Sequence, residues 1–274
     1  VTISGVKTGV EVKKGKVDMM GGTVTFTGGN GNWGVHVQNG ATANLMRATI
    51  KGTSGQGMGL YVVGGTATMN GGEISNVSEG VYATGMGKLT IKGEAKITFT
   101  GSGYGVKVGG TVNATITGAE IKGGGATGTG VIKDGTGEMR MTNVNISKVK
   151  VGVSVTNGNL TINGGTMTGV QTGITMLGSG KLVVNNNATI TFKGEHGVKV
   201  GGTAMADIMG ATIKGSGKGV LMEGKTLTMD GVNISGVKMG VEATNGTLTI
   251  KNGTIGFNDG ANNYGVRVGR EVTS

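Results

Sequence analysis

Along the whole chain, short runs in which Val, Ile, Leu and Met alternate with Thr, Lys, Asn and Glu are separated by Gly, Asn or Ser. Such alternation over four or five residues marks a strand with one buried face. One unit reads Ala48-Thr-Ile-Lys-Gly52, then Gly59-Leu-Tyr-Val-Val63, then Thr66-Ala-Thr-Met69. Three strands and three turns of this kind predict one rung of a parallel β-helix. Ile50, Leu60, Val62 and Met69 then point inward, and Lys51 and Tyr61 point outward. The same assignment puts Ile213, Val220, Met222, Leu227 and Met229 inside a later rung.

The middle strand recurs as Gly-Val-x-Val or a near variant. It begins at Gly9, Gly34, Gly59, Gly80, Gly105, Gly130, Gly152, Gly173, Gly197, Gly219, Gly240 and Gly265. A spacing of roughly 21–25 residues belongs to a solenoid. The expected architecture is all-β: a right-handed, single-stranded parallel β-helix of about twelve three-strand rungs, forming one domain over residues 1–274. The variable rung length argues against the strict six-residue register of left-handed helices. Three rung types alternate over roughly 70 residues. One carries Ile-Ser (Ile3, Ile74, Ile146, Ile234) and one Ile-Lys-Gly (Ile50, Ile121, Ile213). The third carries a Phe followed by Trp, Tyr or His before the glycine: Phe26 and Trp33, Phe99 and Tyr104, Phe192 and His196, Phe257 and Tyr264.

Composition refines this picture. The 61 glycines supply turns, and with no cysteine the stack must hold itself by burial alone, each aliphatic side chain contributing about 1.5–3 kcal/mol. The 15 methionines are expected to fill irregular core space. No apolar run reaches membrane-spanning length and no signal peptide is evident; a chain that opens inside a strand pattern is expected to be a fragment of a longer precursor. A formal net charge of +10 favours acidic partners.

Catalysis finds little support in the residue pattern. Glycoside-cleaving β-helices need paired carboxylates on neighbouring rungs. Glu11 and Glu242 share the Gly-Val-x column but lie at opposite ends, Glu73 and Glu120 are two rungs apart, and Asp134, Asp207, Glu223 and Asp230 are scattered. His36 and His196 are about seven rungs apart, on the order of 30 Å, and cannot share a triad. No nucleophile elbow or phosphate loop occurs. No cofactor or metal is therefore expected.

Lysine placement carries the remaining signal. Lys51, Lys122, Lys193 and Lys214 follow the first strand, and Lys107, Lys199 and Arg267 stand outward in the Gly-Val-x column. Lys181, Lys193, Lys199, Lys214, Lys218 and Lys225 make residues 181–225 the densest basic region and the candidate receptor- or glycan-binding residues; Lys7, Lys13, Lys14 and Lys16 form a second group. Charge of this kind either protects strand edges from aggregation or forms an anion-binding face. Nucleic acid is not expected, since aromatics are 3% of residues and no stacking platform is evident. Outward Tyr61 and Tyr82, on neighbouring rungs, fit either a protein contact or a cross-strand pair.

These rungs, with Gly9-Val-Glu-Val-Lys-Lys-Gly-Lys-Val-Asp-Met-Met20 and Gly197-Val-Lys-Val-Gly-Gly-Thr203, resemble an autotransporter passenger domain, and most closely the Bartonella angiogenic passenger (BafA-type) family. That resemblance implies a protein secreted or displayed at the bacterial surface after export through an outer-membrane barrel. It also implies a non-enzymatic ligand that activates vascular endothelial growth factor (VEGF) receptor 2. The alternative is an adhesin that holds heparan sulfate or extracellular matrix through a basic face.

Overall fold

The computed structural model describes residues 1–273, and in it the strands coil into a right-handed parallel β-helix of about twelve rungs. Every strand pairs in parallel with its counterpart one rung away. On the first face Val24 is in register with Ile50 and Ile50 with Ile74. On the second, Val35 aligns with Leu60 and Leu60 with Val81. On the third, Leu45 aligns with Met69 and Met69 with Ile91. Like side chains therefore stack in columns, and all nine inward positions expected from the alternation are buried. The strands are not uniformly short, however. Glu73–Thr84, Lys96–Gly110 and Met239–Lys251 each run through a corner and serve two faces.

Two glycine columns account for part of the glycine content. At the corner from the third to the first face, Gly71, Gly93, Gly118, Gly164, Gly210 and Gly231 have φ between 61° and 67°, and Arg47, Asn143, Asn186 and Asn252 hold the same conformation. Gly71 and Gly118 still donate their N–H to the next rung, so the ladder passes unbroken through this left-handed corner. The Gly-Val-x-Val glycines have a different cause. A Cβ at Gly105 would lie 2.7 Å from the Gly130 carbonyl oxygen and closer still to the Ile121 side chain. Only hydrogen fits there.

The core is a continuous column of aliphatic side chains, with Phe26, Phe99 and Phe192 filling the corner between the first and second faces. Of the methionines, Met69, Met139, Met141, Met167, Met176, Met222 and Met229 are core residues, but Met20 and Met86 are about three-quarters exposed (76% and 75%). Expectation fails at Met20 because it ends an outward column of the third face, in register with the exposed Met46. A second departure is Lys133. It occupies the inward position between Val108 and Val155, is fully buried, and donates from Nζ to the Gly135 carbonyl. Ile132 takes the outward place instead. Burial pushes the Lys133 amino group down in pKa, against the pull of Glu138 and Asp134.

Candidate binding surface

On the second face, the outward residue of each Gly-Val-x-Val segment aligns with its neighbours in one column. From the N-terminal end it runs Glu11, His36, Tyr61, Tyr82, Lys107, Ile132, Ser154 and Thr175. It continues through Lys199, Leu221, Glu242 and Arg267. Beside it runs the column of residues preceding each glycine, including Trp33, Glu79, Tyr104, His196 and Lys218.

Where the two columns carry aromatic residues, the rings form one stack. Trp33 lies 4.5 Å from His36 and 5.8 Å from Tyr61; His36 stacks on Tyr61 at 5.1 Å and 9°; Tyr61 stacks on Tyr82 at 5.5 Å and 22°. Tyr104 turns 75° from Tyr82 to close the series, and the Lys107 ammonium stands 5.0 Å from the Tyr82 ring centroid. The absence of a stacking platform expected from composition is thus corrected: few aromatics suffice when the register brings them together. The rings cover one another's faces, so the stack presents edges and the Lys107 ammonium outward.

Electrostatics tie the stack together. The His36 side chain is only 10% exposed, far more covered than its outward register suggested, because Trp33 and Tyr61 flank it. Its Nδ1 has no hydrogen-bond partner and sits 3.8 Å from Glu11 Oε1, which accepts instead from Gln38 Nε2 at 3.0 Å. Burial lowers the His36 pKa, against the charge of Glu11. Burial also pushes the Tyr104 phenol far up, helped by the charge of Glu79 and a hydrogen bond to it.

The six candidate lysines do not share a face. Lys214 is on the first face, Lys199 and Lys218 on the second, and Lys181 on the third, while Lys193 and Lys225 sit at corners. Lys214 pairs in register with Thr191, so Lys193 lies in the turn beyond it rather than in its column. Half of the six are neutralised. Lys181 binds Asp207 at 2.6 Å, Lys199 binds Glu223 at 3.3 Å, and Lys218 binds Glu242. Burial pushes the Glu242 carboxyl up, but the Lys218 hydrogen bond and charge, with Tyr264 and Arg267, hold it net below the usual range. Lys193 and Lys218 do converge on one groove, together with Lys238, which the sequence reading passed over.

Several of the acids singled out in the sequence face lysines or lie far apart. Glu73 and Glu120 flank Lys96 in one column, Asp207 and Glu223 face lysines, and Glu11 and Glu242 remain at opposite ends. Among the described residues no group of three or more His, Cys, Asp or Glu could hold a metal. Among the described residues no helix is long and apolar enough to cross a membrane.

A family model agrees with the architecture over part of the chain. The right-handed beta helix region family matches residues 58–188. No curated protein matches the chain in sequence. Among solved structures, the Streptococcus pneumoniae surface protein and adhesin PfbA is similar at 12% identity and a TM-score of 0.46, over 95% of this chain and 91% of that one.

Proposed function

We propose that this protein is a non-enzymatic, secreted or surface-displayed binding protein of the adhesin type, which engages an extracellular macromolecule through the aromatic stack of its second face. The supporting observation is that the stack is not needed to build the helix. The same column carries Ser154 and Thr175 on rungs that fold alike. Tyr and Trp side chains are enriched at protein contact centres, where they bring area at low entropic cost, and a lysine suits the polar rim.

Three narrower forms follow. A matrix or cell-surface protein is the partner the stack favours; heparan sulfate is favoured by the net charge of +10 and the lysine groove. Activation of VEGF receptor 2 by an exported autotransporter passenger is the form implied by the family resemblance. The test immobilises matrix proteins, the receptor ectodomain and heparin, and measures binding of the purified chain across a salt series. Binding to a protein surface that persists at physiological salt supports the reading. Binding to none of the three surfaces would sink it.

A further inference from the structure

At the corner between the first and second faces, a groove of about 510 Å³ crosses three successive rungs. Its charged and polar lining is Lys193, Glu195, His196, Ser216, Lys218 and Lys238, and Gly194 and Gly217 leave its floor as bare backbone. A Cβ would meet the Gln171 carbonyl oxygen at 2.6 Å from Gly194 and the Glu195 carbonyl oxygen at 2.6 Å from Gly217, so neither position admits a side chain without a shift. The opening is thus built into the rung spacing.

The charges in the groove are unevenly spent. Lys218 is bound to Glu242, and the Glu195 carboxylate stands 3.9 Å from His196 Nδ1. Among the described residues, no carboxylate lies within ion-pair distance of Lys193 or Lys238. These two ammonium groups come from the first and third of the three rungs. Adjacent rungs are about 4.8 Å apart, so their backbones are roughly 10 Å apart along the helix axis. One small anion cannot meet both without drawing the two side chains together over Lys218. A chain that carries anionic groups at intervals can meet each in turn.

We propose that this groove is a site for a sulfated oligosaccharide lying along the solenoid axis, with successive sulfate groups held by Lys193 and Lys238. Hydroxyl-bearing sugar rings suit the stretch between them, where Ser216, Glu195 and His196 offer hydrogen-bonding groups over exposed backbone. The volume fits a ligand of about disaccharide size within the groove. This site rests on the heparan sulfate form of the reading above, but it lies several rungs from the aromatic stack, so either surface can fail while the other stands.

The test titrates a heparin-derived octasaccharide into the full chain at physiological salt. Lys193→Gln/Lys238→Gln should weaken binding about ten-fold or more, since charge-assisted hydrogen bonds are lost. Lys92→Gln/Lys251→Gln, which removes the same charge from the third face, should change it less than about two-fold, because distant charge is screened. Circular dichroism checks that both variants keep the native β signal. Equal losses in the two variants would show diffuse attraction and overturn the site. So would undiminished binding by the groove variant, equal binding of desulfated heparin, or equal binding of an oligonucleotide of matched charge.

Discussion

At the residue scale, the rungs tolerate departures only where space or charge can be accommodated, and this makes single substitutions informative. Lys133 is a buried cation stacked between Val108 and Val155, and its Nζ donates to the Gly135 carbonyl. Lys133→Val should therefore raise stability by about 1–3 kcal/mol in urea denaturation, as when buried charges give way to apolar groups; a loss would mean that the amino group holds the Gly135 turn. Gly105→Ala should cost about 2–3 kcal/mol, because the methyl collides with Ile121 and the Gly130 carbonyl. Gly124→Ala should be nearly neutral, since the nearest atom to its Cβ is 3.8 Å away. The Lys133 anomaly is written in the sequence: Gly130-Val-Ile-Lys reverses the last two positions of Gly105-Val-Lys-Val.

At the level of the strand column, identity of register decides what neighbouring rungs can do together. Tyr61→Ser/Tyr82→Ser should preserve the fold, with a thermal midpoint lowered by a few degrees at most, because Ser154 and Thr175 already occupy that column. The inward ladder was legible in the sequence because period-two alternation assigns each aliphatic residue a side. Outward chemistry was not, because it depends on pairs about one solenoid period apart. Lys181 meets Asp207 and Lys199 meets Glu223 only once the length of each turn is known. For the same reason the aromatic stack showed in sequence as one tyrosine pair and a separate pre-glycine cue, although Trp33, His36, Tyr61, Tyr82 and Tyr104 form one surface.

Across the whole molecule, stability is a sum of rungs and their interfaces, so a local change in charge weakens the stack near its source. His36 and His196 both have pKa values lowered by burial, His196 further by Lys218 and Lys199. The fold thus prefers them neutral. Their contribution is fully present above the ordinary histidine pKa of about 6.5 and is lost as pH falls below it toward the depressed folded values. Denaturation midpoints should accordingly fall between pH 7 and pH 5, and His36→Phe/His196→Phe should flatten that decline; an unchanged slope would place the acid sensitivity elsewhere. At this scale the protein is one continuous solenoid whose aromatic stack and lysine groove lie on different rungs. The measurement that bears most directly on its function is binding of the wild type and of Tyr61→Ser/Tyr82→Ser to the same immobilised matrix or receptor protein at physiological salt. Loss of binding by a variant that remains folded is the predicted result. Equal binding by both proteins would contradict the assignment of the second face as the contact surface.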